Sequence, residues 1–266
     1  MTRILPFTLA VLFSADLAQS ACAHELKVLA SQLAVAGNSG KSTIYLSWGH
    51  RLPIDDLVDA TTIERYDLLN PKGQAKTLTK AELSLQTNVV ELTEAGIHQV
   101  VVNKKASIYT YVFDTEGVRQ LKRGPKTANT ESKIDTASRY QQCAKALIVV
   151  GKPAQDAPKA IGQTLEIVPL DGPAKWTGNS MLRFKVLLEG KPASAAEITA
   201  TYVGFRPNGD WCYATTSNKN GEFSVRPSQA GTWVIKTHIQ RLTQGKVREQ
   251  YDFESYTATL SFEVQP

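Results

Sequence analysis

The chain has 266 residues, with 30 Lys and Arg against 25 Asp and Glu and a formal net charge of +5. The basic residues are scattered and form no tracts, which argues against a nucleic-acid footprint, because phosphate backbones select for clustered cations. Length beyond the ~100 to 200 residues of one ordinary domain allows either one large core or two modest ones.

The first 23 residues, MTRILPFTLAVLFSADLAQSACA, carry one cation at Arg3, an apolar run from Ile4 to Phe13 and the small-residue triplet Ala21-Cys22-Ala23. That order is the layout of a secretory signal peptide. The apolar run is about half of the ~20 residues that a membrane-crossing helix requires, and Asp16 breaks the apolar character soon after it. We therefore expect export to the periplasm and cleavage after Ala23, leaving His24 as the first residue. Lipidation at Cys22 is the competing reading, although Gln19 stands where a lipoprotein box usually has leucine.

From Lys27 onward, short runs rich in Val, Ile, Thr and Tyr are separated by Gly, Pro and Asn: Lys27 to Ala36, Ser42 to Trp48, Thr61 to Leu69, Ile97 to Val102, Ala106 to Phe113 and Ala144 to Val150. Such runs read as strands. In STIYLSW, Ile44, Leu46 and Trp48 fall on one face, so the sheet buries one side. Residues 114–142 are polar and lysine-rich and read as a long loop with one helical turn around Ser132 to Gln142; further short helical pieces fit Asp55 to Asp59 and Lys80 to Glu82. The proline-bearing stretch 151–161 reads as a linker.

After Gly162 the strand pattern restarts, with turn signals at Glu189 to Pro192 and Asn218 to Gly221. Turn spacings of about ten residues favour antiparallel sandwiches. The expected architecture is all-β, with two consecutive antiparallel β-sandwich domains: residues 24–150, the linker 151–161, and residues 162–266. Cys143 and Cys212 remain after cleavage, and an oxidising compartment permits a disulfide between them. Separate burial of the two thiols is the equal alternative.

Residues Gly37 to Thr43, GNSGKST, resemble a phosphate-binding loop only in part. Val35 stands where its first glycine belongs, and a strand rather than a helix comes next. A solvated turn is the better reading. The histidines His24, His50, His98 and His238 say more. An N-terminal histidine offers its α-amine and an imidazole nitrogen from one residue, and together they close a chelate ring on a metal. The amine has an ordinary pKa near ~7.8, so a metal can displace its proton at neutral pH. His50 follows a strand end and His238 closes another strand-like run, so the candidate ligands are His24, His50 and His238. His98, inside a strand, reads as structural. Asp55 and Asp56 either orient His50 from behind or cap a turn. Nitrogen donors suit Ni(II), Co(II), Cu(II) or Zn(II), and affinity alone would favour copper.

The segments AHELKV, YLSWGHRLPIDDLVDATTIERYDLLNPKG, AKALIVVG, LEIVPLDGP, EGKPASAAEITATYVG, KNGEFSV, AGTWVIKTH and YTATLSFEV together resemble a family of bacterial periplasmic proteins associated with nickel or cobalt uptake. The likeness spans nearly the whole chain after residue 23. It implies an N-terminal sandwich followed by a transthyretin-like or immunoglobulin-like one, a mature N-terminal histidine at His24, a Gly-His pair at Gly49-His50, and a membrane metal transporter as partner. Two other classes stay open: a copper-dependent oxidative enzyme built on the N-terminal histidine, and a structural or adhesive protein without metal. No serine, cysteine or paired-carboxylate motif points to other catalysis.

Overall fold

The structure, a computed structural model, describes residues 24–82, 84–206 and 209–266; residues 1–23, expected to be a signal peptide, lie outside them. The chain is all-β. Its first half contains β1 (Glu25–Ala30), β2 (Ala34–Val35), β3 (Gly40–Gly49), β4 (Ile63–Leu69), β5 (Ala75–Thr77), β6 (Thr87–Leu92), β7 (Gly96–Lys104), β8 (Ser107–Phe113), β9 (Arg119–Arg123) and β10 (Lys133–Val150). The second half adds β11 (Leu165–Pro169), β12 (Leu182–Leu188), β13 (Lys191–Pro192), β14 (Glu197–Tyr202), β15 (Tyr213–Thr216), β16 (Glu222–Val225), β17 (Gly231–Leu242) and β18 (Phe253–Val264).

One eleven-stranded sheet runs through both halves in the order β15-β14-β17-β18-β10-β7-β4-β5, with β2 and β8 also paired to β10 and β9 paired to β8. A three-stranded sheet, β1-β3-β6, and a four-stranded sheet of β11, β12, β13 and β16 complete the fold. Strand β10 joins two cores because side chains alternate faces along a strand. Cys143, Leu147 and Val149 enter a core with β11, β12, β17 and β18. Ala144, Ala146, Ile148 and Val150 enter the other, with β1, β3, β4, β6 and β7. Burying these apolar faces is the main favourable term for both halves.

Several expectations need correction. The polar segment 114–142 is not a long loop with a helical turn at Ser132 to Gln142: β9 lies inside it, a 3-10 turn forms earlier at Lys126–Ala128, and β10 begins at Lys133 and runs for 18 residues. Pairing supplies what composition lacks, since Lys133 to Tyr140 lies against β8 and Ser138 to Ala146 against β18. The sheet is not antiparallel throughout either, because β10 pairs in parallel with both β18 and β2. Parallel neighbours need a long crossover rather than a hairpin, and β10 and β18 are far enough apart in the chain to have one. No helix forms at Asp55 to Asp59 or at the described residues Lys80 to Glu82. Instead Asp59 caps a 3-10 turn over Ala60–Thr62, its Oδ1 accepting from Thr61 N at 2.9 Å.

The turn expected at Glu189 to Pro192 is present, with Glu189 at φ 53° and Gly190 at φ 75°. Paired positive φ values match the twist of a tight hairpin. Cys143 and Cys212 are both free. Cys212 N bonds Ala200 O on β14, so the thiols stand about four strand spacings apart across the sheet. At ~4.8 Å per strand that is roughly 19 Å, beyond the ~7 Å that a disulfide spans. A buried ion pair, Lys145 to Glu166 at 2.6 Å with both side chains 1% exposed, fixes the second half to β10. Glu166 also accepts from the amides of Ile161, Gly162 and Gln163, tying down the end of the 151–161 segment.

Candidate functional site

The site forms where the free edge of β1 meets side chains on the large sheet. Among the described residues β1 pairs with β3 alone, from Glu25↔Gly49 to Ala30↔Ile44, so its other edge needs partners. Gln142 on β10 provides two: its Oε1 accepts from Leu26 N at 2.8 Å, and its Nε2 donates to His24 O at 2.7 Å. Thr259 on β18 donates to Leu26 O at 2.6 Å. These bonds anchor the residue that signal cleavage would make the terminus.

The register Glu25↔Gly49 sets the start of β1 beside the end of β3, and His50 is the next residue along. The His24 and His50 ring centroids are 4.9 Å apart at 65° between planes. His24 also meets Trp48 edge-on at 5.9 Å. Gly49 makes the turn into His50 at φ 121°, and a Cβ there would fall 2.3 Å from Asp55 Oδ2. That oxygen accepts from the amides of His50 at 2.7 Å and Arg51 at 3.2 Å. Asp55 therefore holds the turn, and the His50 amide bond lowers its pKa. From the other half, Gly209 at φ 80° approaches the His50 carbonyl so closely that a Cβ would lie 2.6 Å from it.

Charged groups lie beneath the pair. Glu25 is 1% exposed. Its Oε1 is 3.3 Å from Lys236 Nζ and 3.8 Å from His50 Nδ1, while its Oε2 is buried with no hydrogen-bond partner among the described residues. Lys27, also buried, donates to Gly49 O. Burial lowers the His50 pKa, with the Glu25 charge acting in the opposite direction. His50 is thereby favoured as neutral imidazole, the form that donates a lone pair.

His238 is not brought to this pair. It sits on β17 with Nδ1 3.2 Å from Thr257 Oγ1, and no ring contact or hydrogen bond joins it to His24 or His50 among the described residues. It lines a separate cleft of about 820 Å³ that includes Tyr111, Arg119, Glu197 and Arg241, and burial lowers its pKa. His98 is core, 2% exposed, with Nε2 2.8 Å from Glu94 O. Sequence reasoning found His24 and His50 but missed Glu25, Lys236 and Gln142, whose roles come from contacts across the chain. The one local signal was a pair of charged residues, Glu25 and Lys27, near the start of a strand that is otherwise apolar.

Among the described residues no three His, Cys, Asp or Glu side chains are gathered to hold a metal ion. Two adjacent imidazoles over a buried carboxylate are what the site presents, able to donate nitrogen lone pairs to a cation. No match is found among curated proteins. Residues 21–241 match a domain of unknown function, DUF4198, and the chain belongs to that family.

Proposed function

We propose that the protein is an exported binder of a divalent metal ion, nickel or cobalt, which it takes up and hands on. His24 and His50 supply imidazole nitrogens, and the α-amine of His24, freed by removal of residues 1–23, supplies the third. The single observation that carries this reading is the approach of the His24 and His50 rings to 4.9 Å. Two imidazoles on one ion at about 2.0 to 2.1 Å per metal–nitrogen bond would have centroids roughly 4.5 to 5 Å apart in a cis or tetrahedral arrangement. The donor set fits Ni(II), Co(II), Cu(II) and Zn(II) by type.

The chain's own residues prepare the site before any cargo arrives. Gln142 fixes the main chain of His24, and Asp55 fixes the turn that presents His50. Glu25, facing His50 Nδ1 at 3.8 Å, favours a proton on that nitrogen and so leaves Nε2 as the donor, as carboxylates behind ligating histidines do. His238 belongs to a different cleft, and the reading does not depend on it. Within the same proposal the two cores are two β-sandwiches sharing β10, the second immunoglobulin-like or transthyretin-like. The location is the periplasm, and the recipient is a membrane metal transporter.

The test is calorimetry of Ni(II), Co(II) and Cu(II) binding to protein beginning at His24, beside a form with one extra N-terminal residue and a His50→Ala variant. We expect Kd values tighter than micromolar for the first and at least tenfold weakening in both others. Binding no tighter than micromolar for all three ions overturns the proposal.

A further inference from the structure

Beside the histidine pair is a cleft whose chemistry the metal reading does not use. It has a volume of about 340 Å³ and is walled by Trp48, Tyr109, Tyr111 and Tyr140, with Lys104 and Lys105 also lining it. That volume lies at the small end of the ~300 to 1,000 Å³ range of small-molecule sites. Tyr109 and Tyr111 are two apart on β8 and so share a face. Tyr140 comes from the neighbouring β10 and meets Tyr109 edge-on at 6.0 Å.

Among the described residues no Asp or Glu lines the cleft. The Lys104 ammonium lies 3.3 Å from the Trp48 ring centroid, and no carboxylate comes within ion-pair distance of it among the described residues. Burial lowers its pKa to about 8, with Asp59 opposing and Arg123 adding to the effect. A cation in that position is short of negative charge. Near the cleft, the Arg119 guanidinium covers Tyr111 at 3.6 Å, but its charge is paired with Asp135 at 2.8 Å. The positive charge at the cleft is that of Lys104 and Lys105, and the walls are aromatic.

We propose that this cleft binds a small aromatic carboxylate, its charged group on Lys104 and Lys105 and its ring among Trp48, Tyr109 and Tyr140. Aromatic walls favour a flat ring in stacked or edge-on contact. Lysines with no carboxylate within ion-pair distance among the described residues favour an anion and disfavour a neutral or cationic occupant. A neutral sugar would need an open aromatic face on which to stack, and at Trp48 the Lys104 ammonium already occupies that face. The proposal needs no metal, although His24 and Gln142 of the neighbouring histidine site also line the cleft.

The experiment uses metal-free protein beginning at His24, with indole-3-acetate and 4-hydroxybenzoate as probes and their neutral amides as controls. Binding is followed by calorimetry and by the Trp48 indole N–H resonance. We expect at least one carboxylate to bind with submillimolar Kd and shift the Trp48 signal, and its amide to bind at least tenfold more weakly. Lys104→Met should weaken the carboxylate at least tenfold while leaving the amide unchanged, and Lys104→Arg should retain binding. Millimolar or weaker binding of both acids, equal binding of acid and amide by the wild-type protein, or an unaffected Lys104→Met variant overturns the proposal.

Discussion

Replacing Gln142 by methionine keeps the length of the side chain but removes both hydrogen bonds that hold the start of β1. The two losses differ in weight. Leu26 is 0% exposed, so its amide becomes a buried donor without a partner, at a cost of about 1 to 3 kcal/mol. His24 is exposed, so water can replace the bond to its carbonyl, and that loss is nearer ~0.5 kcal/mol. Together they amount to roughly 1.5 to 3.5 kcal/mol, a large fraction of ordinary domain stability. Urea unfolding measures the total, and amide hydrogen exchange locates it. The Leu26 amide should exchange at least tenfold faster, while amides in the β3–β6 ladder lose only what global destabilisation requires. An unfolding free energy within about 0.5 kcal/mol of wild type, with unchanged Leu26 exchange, would refute the account of how β1 is held. Metal affinity should fall with the same substitution, because an unpinned His24 must be ordered when the ion binds.

The same geometry yields two further outcomes. Gly49→Ala should destabilise by about 1 to 3 kcal/mol, since an added Cβ meets Asp55 Oδ2 at 2.3 Å and φ is 121°; it should also displace His50 and weaken metal binding, seen in paired thermal and calorimetric measurements. At Asp171 the Arg183 side chain is the largest cause of a carboxyl pKa held well below the usual range, with the Arg183 amide and Lys175 assisting. A pKa lower in the folded state gives stability that is present above the unfolded value near ~3.9 and lost as pH falls toward the folded value. Asp171→Asn should therefore cost about 1 to 3 kcal/mol at neutral pH and progressively less below pH ~4, because Arg183 and Lys175 are more than half exposed and keep their solvation. Urea titrations at pH 7 and in steps down to pH ~2.5 check this, and parallel pH profiles for variant and wild type would contradict it.

Fold class was legible wherever a single strand carries its own pattern. Ile44 and Leu46 alternate into the core as their spacing indicates, with Trp48 partly buried beside them. Glu189-Gly190 turns where its composition says it should. Strand β10 was half legible: its apolar end, Ala144 to Val150, read as a strand, but Lys133 to Gln142 did not. That polar half is held by partners on β8 and β18, and β18 is more than a hundred residues away in the chain. The same separation hid the site's supports. Nothing near Gln142 indicates that it will bond His24 and Leu26, and nothing near Lys236 indicates Glu25.

By itself, the sequence determined the all-β class, the turns and the two histidines worth following, because periodicity, turn chemistry and donor type are local properties. Tertiary structure decided which histidines meet. His24 and His50 come together because β1 and β3 pair in a register that puts Glu25 opposite Gly49. His238 stays apart because its register on β17 sets it beside Thr257. Register and edge docking are long-range choices set by burial and hydrogen-bond satisfaction over the whole sheet, and no short stretch of sequence contains them.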